Sequence, residues 1–171
     1  AAAAVALPPA VCFLVWQSIA ASVVGQLPAT SSSSANTTFP FSDLPRSLRG
    51  WVAEARHGLS SAHLVSIGSS LALLTFVALT WLTVVAFTSD GARVAWATRP
   101  WEPLVALAGF TVLVSSSWTV LSVPADFRQS YELAGASWLV LWSASPRRRV
   151  VALTVVAPVT MLAFVFRCVY L

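Results

Sequence analysis

The sequence contains little charge. Only 9% of its 171 residues are Asp, Glu, Lys or Arg, whereas a soluble domain carries about 25%. Lysine is absent, so all ten basic residues are arginines. Because 57% of the residues are hydrophobic, so few charged side chains cannot cover a globule in water. The composition therefore excludes an ordinary soluble domain and favours a chain that folds in a lipid bilayer.

Residues that carry catalytic or metal chemistry are also scarce. The two histidines, His57 and His63, lie on different faces of any helix that contains both, so they form no two-histidine metal face. Cys12 and Cys168 fall in separate apolar segments and are expected to be free thiols, with a disulfide between them as the alternative. The sequence has no Gly-rich phosphate loop, zinc-ligand spacing or nucleophile elbow, and no basic cluster with interleaved aromatics. It therefore predicts no enzyme, no metal site and no nucleic-acid partner.

The chain also has little methionine. Its only methionine is Met161, and it begins with four alanines. Residue 1 is therefore not expected to be the translational start, and either a targeting segment has been removed or the sequence is a fragment. Removal of a targeting segment would fit import into an organelle, whereas a secretory signal over residues 1–25 would lack its positive n-region.

The sequence contains several long apolar stretches. Residues 63–89 contain no Asp, Glu, Lys or Arg and are rich in side chains that insert favourably into a bilayer. Because a helix of about 20 residues crosses the hydrocarbon core, each of four such stretches is a candidate span. The sequence predicts an all-α, polytopic transmembrane protein with a single membrane domain over 1–171. The predicted spans are residues 8–27, 63–89, 103–123 and 149–170.

Two further segments have a helical pattern but are not predicted to span. Apolar residues in 43–59 recur at steps of three and four, and the arginines lie off that face. This pattern predicts an amphipathic helix in the membrane interface or on a partner subunit. Residues 132–145 are apolar but too short to cross, which predicts a re-entrant or interfacial helix. The alternative is a short fifth span over 131–145 that forms a hairpin at Pro146.

The arginines distinguish between these topologies. With four spans, seven of the ten arginines share the side that holds residues 28–62 and 124–149, and both termini lie on the opposite, outer side. With five spans the arginines divide equally, and the orientation signal disappears. We therefore expect four spans. The seven arginines are Arg46, Arg49, Arg56, Arg128, Arg147, Arg148 and Arg149.

Tryptophans, arginines and small residues predict the contacts of this bundle. Trp and Arg near span ends are typical of the membrane interface and of lipid contacts. Small residues at helical spacing allow close packing, here between the second and third spans. The predicted interface and lipid residues are Arg46, Arg49, Trp51, Arg56, Trp96, Trp101, Arg147, Arg148 and Arg149. The predicted packing residues are Ser66, Gly68, Ala72, Ala108, Thr111, Ser115 and Thr119.

The leading functional prediction is a non-catalytic accessory subunit of a larger membrane complex. Its partners would be other membrane subunits and structural phospholipids, with no other cofactor. We expect an organellar energy-converting complex, either a respiratory complex or ATP synthase of the mitochondrial inner membrane. A thylakoid or bacterial inner membrane is the alternative location, and no motif selects among these membranes.

Two other functions are compatible with the sequence. A small transporter or channel would have a path lined by Thr111, Ser115 and Thr119, together with Gln17. All acidic residues lie outside the predicted spans, however, whereas ion-translocating proteins keep ionisable groups inside the membrane. A redox subunit would bind haem or quinone through His63, for which the sequence offers no evident second ligand.

Overall fold

The computed structural model describes residues 2–25, 36–57, 64–122 and 130–170. These residues form helices and contain no β-strand, so the predicted all-α class is confirmed for them. The helices are α1 (Ala2–Val24), α2 (Leu44–Ala55), α3 (Leu64–Phe87), α4 (Asp90–Thr98), α5 (Trp101–Ser115), α6 (Trp118–Leu121), α7 (Tyr131–Trp142) and α8 (Pro146–Tyr170).

The chain divides into two units, residues 1–37 and 38–171. The first unit contains α1, which begins at Ala2 rather than at predicted residue 8 because the alanines before Pro8 are strong helix formers. α1 ends where Gly25 adopts a φ of 77° and donates its N–H to the Ala21 carbonyl at 2.9 Å. Glycine reaches this left-handed conformation without steric cost. The single membrane domain over 1–171 stays a prediction.

α3 lies at the centre of the second unit and packs against α2, α7 and α8, with further contacts to α4 and α5. Its buried residues include Ser66, Gly68, Ser69, Ala72 and Thr75, which are small enough to let neighbouring helices approach closely. A helix with bulky residues at these positions would hold its neighbours further away. The small side chains therefore explain why one helix can be covered on several sides.

Two of the described helices, α3 and α8, are long and apolar enough to cross a membrane. α3 has 24 residues and reaches about 36 Å, more than the thickness of a hydrocarbon core. α5 has 15 residues and α7 has 12, so they reach only about 22 and 18 Å. The four predicted spans therefore do not appear as four full-length helices.

The predicted third span, 103–123, is interrupted after Ser115. Residues Ser116 and Ser117 adopt extended backbone, with ψ angles of 140° and 163°, and the short helix α6 follows them. Backbone amides from the segment before α2 donate hydrogen bonds to the carbonyls freed at this break. The N–H of Thr38 donates to the Ser115 carbonyl at 2.7 Å. The Asp43 carboxylate accepts the N–H of Trp118, the first residue of α6, at 2.9 Å. The free backbone groups at this break thus find partners, as an apolar surrounding requires.

Two apolar clusters show the directions of the helices. One joins the middle of α3 to α2, α5, α6 and the start of α7, and the other joins the C-terminal part of α3 to α4, α8 and the end of α7. α7 therefore runs parallel to α3. α8 starts beside the end of α3, where Arg148 bonds the Thr88 carbonyl, and runs back antiparallel.

This geometry places two groups of predicted interface arginines at opposite ends of α3. Arg46, Arg49 and Arg56 belong to α2 or follow it directly, and the Glu54 carbonyl near the end of α2 accepts a bond from Ser66 at the start of α3. Residues 147–149 lie at the other end of α3. α7 runs from the middle of α3 towards its C-terminal end. The four-span prediction, in which both groups share one side, is therefore not confirmed.

The predicted connector between the second and third spans contains a helix, α4. Asp90 occupies its first turn, where a negative charge is favourable. Gly91 lies against the backbone of α7 so closely that a Cβ there would be 2.7 Å from the Val140 carbonyl oxygen and 2.8 Å from the Ala144 nitrogen. Glycine is therefore required where α4 crosses α7.

We expect Gly91→Ala to destabilise the fold by about 1–3 kcal/mol, since the backbone of α7 must shift to accommodate the methyl group. For a chain of this size the unfolding midpoint falls by roughly 2–4 °C per kcal/mol, which thermal unfolding in a neutral detergent would measure. Gly135→Ala is the matched control, because a Cβ there meets no atom within 4 Å. Equal midpoints for the two variants would contradict the packing of α4 on α7.

Candidate functional site

Four arginines lie at one end of the second unit, around the turn that joins α7 to α8. These residues, Arg99, Arg147, Arg148 and Arg149, are named the arginine end. Arg99 follows α4, whereas the other three occupy the first turn of α8 after Pro146. Proline suits a first helical position because an N–H there would have no helical partner. α8 therefore begins at Pro146, earlier than predicted residue 149.

Two of these arginines bind the turn itself. The Arg99 Nη2 donates to the Ser143 hydroxyl at 2.6 Å, and the Arg149 Nε donates to the Ala144 carbonyl at 3.0 Å. The Arg149 guanidinium also lies 5.4 Å from the centroid of the Trp142 ring, within cation–π range. Side chains from two separate parts of the chain thus hold the turn in place.

Arg148 joins α8 to α3. Its Nη1 donates to the carbonyl oxygen of Thr88, directly after the last residue of α3, at 3.0 Å. The last carbonyls of a helix have no donor within the helix and carry partial negative charge, which a guanidinium complements. This bond therefore holds the beginning of α8 beside the end of α3.

One buried carboxylate balances part of the charge. The Glu102 Oε1, in the first turn of α5, lies 3.1 Å from the Arg99 Nη1, and the two side chains are 2% and 36% exposed. The Glu102 Oε2 is buried and has no hydrogen-bond partner among the described residues. Arg99 is therefore the main partner that stabilises the buried carboxylate. Both residues lie in the predicted connector between the second and third spans, where their i, i+3 spacing is a signal for this pair.

The rest of the positive charge is not balanced by the described residues. Neither Arg147 nor Arg148 forms an ion pair with them, and both side chains are exposed. Arg147 forms no hydrogen bond within this part of the chain. Three cations in the first turn of α8 also lie at the positive end of the helix dipole, where they repel it. The arginine end therefore has a strongly positive potential that favours an anion.

An open groove of about 290 Å³ begins at these arginines and lies between α3 and α8. Its walls are largely apolar below the charged end. The groove therefore offers a positive group and an apolar surface side by side. Its lining residues are Trp81, Val85, Thr88, Arg147, Arg148 and Val151.

The other predicted interface residues are mostly on the surface. The arginines of α2 and the two tryptophans around α4 are exposed, and Arg149 is half-buried. These positions are compatible with the membrane interface. The exposed residues of this set are Arg46, Arg49, Arg56, Trp96, Trp101, Arg147 and Arg148.

Trp51, also predicted as an interface residue, is an exception to this exposure. It is fully buried, with its ring centroid 5.7 Å from that of Phe76 and 6.4 Å from that of Trp118. α2 packs on α3 through this side chain and leaves Leu48 and Val52 exposed. Sequence periodicity placed all three on one apolar face, but only contacts could show which of them α3 covers.

The small residues predicted to join the second and third spans are not brought together. Ser66, Gly68 and Ala72 are buried on α3, where the Ser66 hydroxyl donates to the Glu54 carbonyl of α2 at 2.8 Å. α5 packs on α7 instead, and a Cβ at Gly109 would lie 2.8 Å from that of Leu133. Gly109, the close-packing position of α5, is not among the predicted packing residues.

The hydroxyl stripe of the predicted transport path lies on the outside of the second unit. Ala108, Thr111 and Thr119 are exposed, and Ser115 is half-buried. The Thr111 hydroxyl donates to the Leu107 carbonyl of its own helix at 2.9 Å. These residues therefore do not line an interior path within the described part of the chain.

The remaining candidate groups form no site. His63 lies outside the described residues, so its proposed haem or quinone contact stays a prediction. Cys12 and Cys168 are free, exposed thiols. Among the residues described, no group of three or more His, Cys, Asp and Glu side chains could hold a metal ion. Compared with models of known families, with curated proteins and with solved structures, the chain shows no match.

The unequal burial of Arg99 and Glu102 predicts unequal effects of neutralising them. Arg99→Gln leaves a buried carboxylate without its cation and should cost about 1–3 kcal/mol, less than in a fully buried pair because Arg99 is partly exposed. Glu102→Gln should cost less, since its amide oxygen can still accept from Arg99. Thermal unfolding in a neutral detergent would measure both, with Glu132→Gln at an exposed position as control. A larger loss for Glu102→Gln would argue against this account.

Proposed function

We propose that the protein is a polytopic integral membrane protein that acts as a non-catalytic structural subunit of a larger membrane complex. The exposed apolar surface of α8 supports this proposal most directly. In its apolar segment only 17% of the residues are buried, against 44% in α3. α8 therefore leaves most of its surface for lipid or for another protein.

The distribution of side chains on α8 explains this difference. Ala152, Val156 and Ala163 face inward, whereas large apolar residues cover the rest of the helix. Water would disfavour an exposed apolar surface of this extent, so we expect a bilayer or a neighbouring chain to cover it. The exposed residues are Val150, Val151, Leu153, Val155, Met161, Leu162, Phe164, Val165 and Val169.

The exposed face of α5 supports a protein neighbour. Ala108 and Thr111 are small, exposed and one turn apart. In membranes such positions let a second helix approach closely. A structural subunit that joins neighbouring chains accounts for this face and for α8 together. The mitochondrial inner membrane, and a respiratory complex or ATP synthase within it, stay predictions from the sequence.

The proposed topology has five passes, namely α1, α3, α5, α7 and α8. α1 has 23 residues and reaches about 34 Å, so its length suits a crossing. α5 and α7 are shorter, but α7 is covered by α3, α5 and α8 and its ends need not meet lipid. We prefer this topology to the four-span prediction because α7 runs parallel to α3 along its C-terminal part and ends beside the start of α8.

Native electrophoresis of gently solubilised membranes, followed by mass spectrometry, tests the proposed subunit role. We expect the chain to migrate with a larger assembly and a reproducible set of membrane proteins. Overexpressed chain without its neighbours is the control and should migrate alone. Migration of the chain as a monomer from its native membrane would overturn the proposal.

Labelling of single cysteines tests the topology. In a chain with Cys12→Ser and Cys168→Ser, we expect Ala53→Cys on α2 and Ser145→Cys before α8 to react with a membrane-impermeant maleimide from opposite sides of sealed vesicles. Both positions are exposed in the structure, so accessibility within the fold does not limit the reaction. Labelling of both from one side would restore the four-span topology.

A further inference from the structure

We propose that the groove between α3 and α8 binds one anionic phospholipid, with its phosphate at Arg147 and Arg148 and an acyl chain along Trp81, Val85 and Val151. The inference rests on the proposed membrane location and names a ligand for the arginine end. It does not depend on which complex the protein belongs to.

The charges of the groove support an anion at its upper end. The Arg147 guanidinium has no partner among the described residues, and Arg148 uses one Nη group on Thr88, so donors of both side chains are free. A guanidinium presents paired N–H groups that match two phosphate oxygens. An anion here would also offset the repulsion between these cations and the positive end of α8.

The sequence of charged and then apolar lining residues along the groove supports a lipid rather than a free anion. Thr88 lies at the end of α3, level with the arginines that begin α8. Val85 and Trp81 lie about 4 and 10 Å deeper along α3, and Val151 lies one turn into α8. A charged group followed by an apolar wall is the arrangement of a phospholipid headgroup and its chain.

Two other surface depressions lack this combination. A groove of about 320 Å³ between α7 and α8 is lined by apolar residues and Thr160, without a charged side chain. The surface around Arg49 and Arg56 belongs to α2 alone and has no second helix to form a wall. Among the described grooves, the one at the arginine end therefore favours an anionic lipid over a neutral one.

Native mass spectrometry of the full chain in a neutral detergent tests whether lipid binding depends on the charge of the headgroup and of Arg147. We expect dioleoylphosphatidylglycerol to bind more tightly than dioleoylphosphatidylcholine. Arg147→Gln should weaken phosphatidylglycerol binding about fivefold and leave phosphatidylcholine binding unchanged. Arg93→Gln removes the same charge from an exposed position on α4 and is the matched control. Equal binding of the two lipids, or equal effects of the two variants, would overturn the proposal.

A second pair of variants tests the apolar wall without changing charge. Val151→Trp fills the groove and should weaken phosphatidylglycerol binding, whereas Val155→Trp, exposed on the same helix outside the groove, should not. Glycerol phosphate is the water-soluble probe. If it displaces the bound lipid at equal concentration, or if Val151→Trp has no effect, the site is one for free anions and the lipid assignment is wrong.

Alkaline extraction of native membranes separates this inference from the proposed function. Release of the chain into the alkaline supernatant would overturn the membrane location and the lipid site together. Retention in the membrane, combined with phosphatidylglycerol binding that does not depend on Arg147 or Val151, would overturn the lipid site alone.

Discussion

Close approach to α3 is the physical condition on which the other packing in the second unit depends. Small residues on its buried surface let α2, α7 and α8 reach it from different directions, and both apolar clusters include its side chains. Association of helices in an apolar solvent depends on close contact of this kind, because hydrophobic burial adds little there. Trp51 supplies the bulk that fills the space between α2 and α3.

The packing of the second unit also requires that backbone groups at helix ends and breaks form hydrogen bonds with other parts of the chain. The chain breaks between α5 and α6, yet Thr38 and Asp43 bond to the groups freed on either side of Ser116 and Ser117. The turn before α8 is held in the same way by Arg99 and Arg149. Most of these polar contacts join residues far apart in the chain, so they fix the helix ends and the packing together.

The residues of the arginine end hold neighbouring helix ends in place and also form the proposed binding site. Arg148 and Arg149 each use one N–H group to hold a helix end or a turn, which leaves their other donors free. Arg147 makes no such bond within the described residues. A site that joins the positive end of a helix to an apolar groove can recognise a lipid without a catalytic group. It is therefore consistent with the structural role proposed for the chain.

The sequence by itself determined the helical class, the apolar character of the chain and the positions of its two longest helices, α3 and α8. These properties are local, because hydropathy and helix length depend on consecutive residues. Tertiary structure decided that α7 runs parallel to α3, that Trp51 is buried, and that Arg99 pairs with Glu102. These features depend on which helix faces each side chain, and periodicity within one helix contains no information about its neighbours.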